Sequence, residues 1–139
     1  MINRSAGNPI AILGSGGKMG FRITTKLVDA GYDVRAVEIG DTGKQRLAAA
    51  NITSVATADG IAGAKVIIFA LPDNVIGSVI RDLSSQIAPG TMLLILDAAA
   101  PYADDLPVDR PDLTYFVGHP CHPPLFSTQT QGAERLDFI

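Results

Sequence analysis

The chain of 139 residues is 47% hydrophobic and 18% charged, and its 14 acidic and 11 basic side chains give a formal net charge of −3. This composition supports a packed core, excludes disorder over the whole chain, and argues against non-specific nucleic-acid binding, which needs a basic surface. With no apolar run of about 18 residues, no signal-peptide pattern and a single cysteine, Cys121, the chain is expected to be a soluble cytoplasmic domain without a membrane partner.

Three short apolar runs show no alternation with polar residues, which is typical of strands buried on both faces of a parallel sheet. These runs are Ile10–Leu13, Val66–Ala70 and Met92–Leu96. Weaker strands are predicted at Asp33–Glu38 and Thr114–Gly118, with a short edge strand at Thr53–Val55.

Helical segments lie between these strands. The first, Lys18–Ala30, carries apolar residues four positions apart and stops at Gly31, which predicts a left-handed C-terminal cap. The second, Thr42–Ala50, is expected to have Asp41 as its N-cap, and the third spans Val75–Ile87. Strands that alternate with helices predict an α/β fold of the Rossmann type, a doubly wound and mainly parallel sheet with helices on both faces.

The domain division follows from the end of the chain. Residues 1–119 are predicted to form the dinucleotide-binding Rossmann domain, and residues 120–139 a proline-rich loop and tail. Because the tail breaks off in an apolar run, we expect it to lead into a C-terminal helical domain that this chain does not contain. A frayed C-terminus is the alternative.

A glycine-rich loop follows the first strand directly. The pattern is G-x-x-G-x-x-G, whereas the strict G-x-G-x-x-G fails because Met19 occupies its last position. Glycine lets the backbone approach a pyrophosphate, and the next helix offers it unpaired N–H groups. The residues expected to bind the cofactor are Gly14, Ser15, Gly16, Gly17, Lys18, Met19 and Gly20. A loop that only turns the chain is the alternative.

Glu38 ends the second predicted strand, 18 residues beyond Gly20. An acid at this place accepts hydrogen bonds from the adenosine ribose and repels a 2′-phosphate, which predicts NAD rather than NADP as the cofactor. Lys44 and Arg46 lie nearby in the sequence, but in a predicted helix and not beside the acid. The alternative is a solvated acid without a ligand.

Two further loops follow strands at the edge where a nicotinamide would lie. The loop after Val66–Ala70 is stiffened by proline and is expected to wall the nicotinamide ribose, with Ala70, Leu71, Pro72 and Asn74 as its cofactor contacts. The loop after Met92–Leu96 contains small residues, and Ala98 is expected to leave room for the flat ring.

Both histidines and the single cysteine lie in one loop after the last predicted strand. Hydride transfer from an alcohol needs a proton acceptor, for which imidazole is suited. His119 directly follows the strand and is the predicted catalytic base, with His122 as the second candidate. A metal site at His119, Cys121 and His122 is the rival, but ligands so close on a proline-stiffened loop rarely converge, and we predict no metal. A loop of packed histidines without chemistry also remains open.

Four segments carry a family resemblance: Gly14–Gly20, Leu71–Asn74, Asp97–Ala103 and Tyr115–Phe126. Together they resemble the D-apionate oxidoisomerase family, also described as phosphogluconate dehydrogenase-like NAD-dependent oxidoreductases. The His-Pro-Cys-His-Pro-Pro run is the most specific part. More distantly, the chain is similar to prephenate dehydrogenase, where a histidine at the place of His119 is catalytic.

The resemblance implies NAD-linked oxidation of a branched sugar acid, coupled to migration of a carbon group. It also implies a protein about twice this length, whose C-terminal helical domain closes the substrate cleft and forms a homodimer. The isolated chain is therefore expected to be a poor catalyst. Two other functions stay open: a prephenate dehydrogenase-like or β-hydroxyacid dehydrogenase, and a non-catalytic NAD-binding or sensing module.

Overall fold

The computed structural model describes residues 7–103, 106 and 109–118. His119, Cys121 and His122, together with the predicted tail 120–139, lie outside the described residues. Within the described part, the strands are β1 (Ile10–Leu13), β2 (Val34–Val37), β3 (Ser54–Val55), β4 (Val66–Phe69), β5 (Met92–Ile95) and β6 (Thr114–Val117). The helices are α1 (Lys18–Asp29), α2 (Asp41–Ala49), α3 (Thr57–Ile61), α4 (Asp73–Leu83) and α5 (Ala99–Tyr102), and a 3₁₀ turn, Ser84–Gln86, follows α4.

The strands form one sheet in the order β3-β2-β1-β4-β5-β6, and every pairing is parallel. The chain builds outward from β1 to β3, then crosses back to place β4 on the other side of β1. This is the strand order of the doubly wound dinucleotide-binding fold, with its switch point between β1 and β4. The predicted Rossmann-type parallel sheet is confirmed.

Helices cover both faces of the sheet, as predicted. On one face, buried side chains of β1, β4 and β5 pack against α3 and α4 around Phe69, Ile76 and Ile80, none of which is exposed to solvent. On the other face, Ile12 and Ile68 pack against Ile23 of α1. Because both faces are covered, successive strand residues are all apolar, which explains the unbroken runs in the sequence.

The ends of the helices agree with the sequence in one case and correct it in another. Gly31 has φ +79° and ends α1 as predicted, with its N–H donating to the Val28 carbonyl and that of Tyr32 to the Leu27 carbonyl. The predicted N-cap role of Asp41 is wrong, because Gly40 occupies that position and Asp41 is already the first residue of α2. Its carboxylate instead lies in the first turn, where a negative charge favours the helix.

Arg110 fixes the connection that leads into β6. Its guanidinium donates to the carbonyls of Ser84 and Ile87, at the two ends of the 3₁₀ turn that follows α4, and to the Asp112 carboxylate at 2.6 and 2.8 Å. The hydrogen bond from Arg110 holds the pKa of Asp112 below its usual value, and Asp112 raises the pKa of Arg110. The segment before β6 is thereby attached to the same helix that borders the cleft described below.

Thr24 in α1 is a buried polar side chain whose hydroxyl has no hydrogen-bond partner among the described residues. Burying an unpaired hydroxyl costs about 1–3 kcal/mol. We expect Thr24→Val to raise the free energy of unfolding by about 1 kcal/mol, measured by urea denaturation.

The neighbouring threonine provides the control. The hydroxyl of Thr25 donates to the carbonyls of Phe21 and Arg22 at 3.0 Å, so Thr25→Val should leave stability unchanged or lower it slightly. If Thr24→Val lowers stability by 1 kcal/mol or more, the Thr24 hydroxyl has a partner after all and the prediction is wrong.

Candidate dinucleotide site

The glycine loop lies at the carboxyl edge of the sheet, between β1 and α1. Gly14 has φ +76°, and a Cβ there would lie 2.4 Å from the Ala70 carbonyl oxygen, so this position requires glycine. The backbone N–H groups of Gly14 and Ser15 both donate to the Val37 carbonyl, at 3.0 and 3.1 Å. The loop is therefore attached to the end of β2 and faces the crevice at the switch point.

The first turn of α1 supplies the anion-binding groups that the loop pattern predicts. Gly17 is the N-cap, and Lys18, Met19 and Gly20 are the first three helical residues, whose N–H groups have no acceptor within the helix. The Lys18 side chain is exposed at this end. The helix dipole, the free N–H groups and an adjacent cation together favour a bound phosphate.

Gly20 holds α1 against the loop that precedes it. A Cβ at Gly20 would lie 2.0 Å from the Gly14 carbonyl oxygen and 2.8 Å from the carbonyl carbon. These are backbone atoms that cannot move without moving the loop. The close approach of helix and loop therefore requires glycine here, and it aims the helix N-terminus at the crevice.

Ser15, whose contact with the cofactor stays a prediction, is held by the end of β2. Its side chain is fully buried, and its hydroxyl donates to the Val37 carbonyl at 2.9 Å. The hydroxyl thus reinforces the attachment of the loop to β2 and does not reach the surface of the crevice.

Glu38 lies at the end of β2, with its carboxylate turned back onto the glycine loop. Oε2 accepts the Gly16 N–H at 2.8 Å, and Oε1 accepts the N–H groups of Ile39 and Gly40, both at 2.9 Å. A carboxylate offers about four acceptor positions. One position therefore remains, on Oε2. In dinucleotide-binding folds of this kind, an acid at the end of the second strand accepts a hydroxyl of the adenosine ribose.

Arg46 also contacts the glycine loop, which its place in the second helix did not predict. It lies in α2 as predicted, yet its guanidinium reaches the loop and donates to the Gly16 carbonyl. Gly16 is thus bonded on both sides, through its N–H to Glu38 and through its carbonyl to Arg46. This contact depends on how α2 approaches the loop, which sequence spacing does not reveal.

A cleft of about 260 Å³ opens beside Glu38, between the strand ends and α4. Sequence reasoning missed most of its walls. Ile39 gave the best available signal, since an apolar residue directly follows the acid, and its side chain is 84% exposed at the cleft. The lining residues are Leu13, Gly14, Val37, Glu38, Ile39, Thr57, Leu71, Val79, Asp82 and Leu83.

The predicted contacts on the nicotinamide side follow β4 and β5, which are paired and end at the same edge. Leu71 is half-buried and lines the cleft, Pro72 is the N-cap of α4, and Asn74 is exposed in its first turn. Ala70 follows β4, and Ala98 is exposed at the N-cap of α5. The structure brings these five residues to the crevice edge of the sheet, and their cofactor contacts stay predictions.

The end of β6 lies at the same edge, where the Gly118 N–H donates to the Ile95 carbonyl at 2.9 Å. The predicted bases His119 and His122 come next in the sequence, outside the described residues. Among the described residues, no cluster of His, Cys, Asp or Glu could hold a metal ion. In the same part of the chain, no helix has the length and apolar character needed to cross a membrane.

A parallel sheet in this order, with a glycine loop at the first helix and an acid at the end of β2, defines a Rossmann-type dinucleotide-binding domain. Residues 9–101 match the family model described as NADP oxidoreductase coenzyme F420-dependent, and the chain belongs to this family of oxidoreductases.

Curated relatives confirm the family resemblance noted in the sequence. A D-apionate oxidoisomerase of Cupriavidus necator is 45% identical over 131 residues, covering 94% of this chain and 47% of the relative. A D-apionate oxidoisomerase of Rhizobium rhizogenes is 46% identical over 129 residues, covering 92% of this chain and 46% of the relative. The chain thus spans about half the length of the curated relatives it matches.

A solved structure supports the same fold. The semialdehyde dehydrogenase NAD-binding protein from Cupriavidus necator, in complex with calcium and NAD, is 45% identical and superposes with a TM-score of 0.81. The match covers 94% of this chain and 48% of that chain.

Proposed function

We propose that this chain binds NAD and forms the cofactor domain of an enzyme that oxidises a hydroxyl group of a small sugar acid. The observation that carries the proposal is the Glu38 carboxylate, bonded to Gly16 of the glycine loop in a chain 45% identical to a D-apionate oxidoisomerase. D-apionate, with isomerisation coupled to its oxidation, is the substrate that the names of the relatives support.

The described residues fit NAD in three places. The N–H groups at the start of α1, with Lys18, would hold the pyrophosphate. The open acceptor position on Glu38 would take a ribose hydroxyl. The cleft beside it offers apolar walls from Ile39, Val79 and Leu83 to an adenine ring.

Glu38 favours NAD even though the family description names NADP and coenzyme F420. A 2′-phosphate would lie beside this carboxylate and be repelled by its charge. Arg46 is a cation at the loop, but its guanidinium already donates a hydrogen bond to the Gly16 carbonyl, so we do not assign it to a 2′-phosphate. The neighbour from Cupriavidus necator, whose structure contains NAD, supports the same choice.

Oxidation of a hydroxyl group needs a hydride acceptor, which bound NAD would supply, and a proton acceptor beside it. β6 ends at the edge where the nicotinamide lies in this fold, and we assign the uptake of the substrate hydroxyl proton to His119, two residues further along the sequence. We propose the division into a cofactor domain at residues 1–119 and a connecting segment at 120–139. We also propose that the enzyme to which this domain belongs has a second, substrate-binding half and acts as a homodimer.

A fusion of this chain to the second half of the Cupriavidus necator relative tests the proposed substrate. We expect D-apionate to reduce NAD in the presence of the fusion, seen as NADH absorbance, with much slower reduction of NADP. The isolated chain is the control and should turn over well below about 1 per second. A folded fusion that binds NAD but leaves D-apionate unchanged would show that the substrate is wrong.

A further inference from the structure

Gly43 lies in the first turn of α2, directly against the Glu38 side chain. A Cβ placed on Gly43 would lie 2.5 Å from Cδ, 2.6 Å from Oε2 and 2.7 Å from Cγ of Glu38. Even the smallest side chain would therefore occupy the space that holds the carboxylate.

Helix formation gives no reason for glycine at this position. Gly43 is a helical residue without positive φ, and alanine is the better helix former. The reason lies in a tertiary contact. A Cβ placed on Gly16 would lie 2.4 Å from the Cα of Gly43, so the backbone of Gly43 packs closely against the glycine loop. The first turn of α2, the glycine loop and the Glu38 carboxylate thus occupy one closely packed space.

We propose that Gly43 is a positioning residue that sets the preference for NAD over NADP by acting through Glu38. The inference rests on the proposed binding of NAD at the glycine loop. Without a side chain at Gly43, the carboxylate turns onto the Gly16 N–H and keeps one acceptor position on Oε2, which we assign to a ribose hydroxyl. The same position puts the negative charge where a 2′-phosphate would have to bind.

Gly43→Ala should displace the carboxylate and leave the fold in place. The atoms that a new Cβ would meet belong to the far end of a flexible side chain, which moves more easily than backbone. Once displaced, Glu38 loses the Gly16 N–H and its alignment with the ribose. We expect NAD affinity to fall about tenfold and NADP affinity to stay or rise, since hydrogen bonds to a charged group are among the stronger ones.

The test is a double-mutant cycle with calorimetric titration of NAD and NADP. Gly43→Ala is measured in the parent chain and in a Glu38→Ala background, with Gln45→Ala on the same helix as the control. We expect Gly43→Ala to lower the NAD-to-NADP affinity ratio about tenfold in the parent, and to leave it unchanged in the Glu38→Ala background. Gln45→Ala should leave the ratio unchanged.

A second measurement needs no cofactor. The amide proton of Gly16, which donates to Glu38, should shift in the ¹⁵N–¹H spectrum and exchange faster in Gly43→Ala, as it should in Glu38→Ala. An unchanged Gly16 amide, or an equal change of the affinity ratio in both backgrounds, would overturn the role of Gly43 alone. A parent chain that binds neither dinucleotide would instead overturn the proposed function, and this role with it.

Discussion

Gly20→Ala should displace the glycine loop from the start of α1 and abolish dinucleotide binding. The added Cβ would meet backbone atoms of Gly14 at 2.0 and 2.8 Å, so either the loop or α1 must shift. We expect a loss of about 1–3 kcal/mol in the free energy of unfolding, as for other overpacked sites, measured by urea denaturation. NAD affinity, measured by calorimetry, should fall at least about hundredfold, because the N–H groups of the first turn no longer converge on a phosphate.

Two other glycines separate the effect on the fold from the effect on binding. Gly118→Ala adds a Cβ with ordinary contacts, 3.5 Å or more from its neighbours, and should change stability by less than about 0.5 kcal/mol. Gly17→Val should abolish binding, because its branched side chain would occupy the space of the pyrophosphate. Its Cβ would lie 3.2 Å from the Gly14 carbonyl oxygen, so we expect a smaller loss of stability than in Gly20→Ala. If Gly20→Ala is as stable as Gly118→Ala, the close packing of loop and helix is not what holds the site.

His119→Asn should lower turnover by about 10²–10⁴-fold in the fusion with the second half, the usual loss for an acid or base group. NAD affinity should stay within about twofold, because the proposed role concerns the proton of the substrate. Steady-state kinetics with saturating NAD, together with calorimetric titration, separates the two quantities.

His122→Asn is the control for this assignment and should cost less than His119→Asn. A larger loss in His122→Asn would transfer the role of base to His122. If neither variant lowers turnover, the proposed base does not lie within this chain.

The fold was predictable because its determinants are local. Runs such as Ile10–Leu13 and Val66–Phe69 are apolar at every position because helices cover both faces of the sheet, and their short length indicates strands and not buried helices. The glycine loop and Glu38 were predictable for a similar reason. The turn after β1 requires a positive φ at Gly14, which favours glycine there. Glu38 directly follows β2, the place at which this fold carries its ribose-binding acid.

The parts that sequence reasoning missed depend on short elements or on tertiary contact. The helices α3 and α5 have five and four residues, too few for a helical period to be recognised, and Thr57 of the cleft was missed with α3. The contacts of Gly43 and Arg46 with the loop exist only because α2 packs beside it. The spacing of residues in the sequence does not predict that α2 packs beside the glycine loop.

The affinity of this chain for NAD, compared with its affinity for NADP, tests the central claim most directly. Calorimetric titration at one salt concentration should give a dissociation constant for NAD at least about tenfold lower than that for NADP, because the Glu38 carboxylate accepts a ribose hydroxyl and repels a 2′-phosphate. Tighter binding of NADP, or no binding of either dinucleotide by the folded chain, would contradict the account.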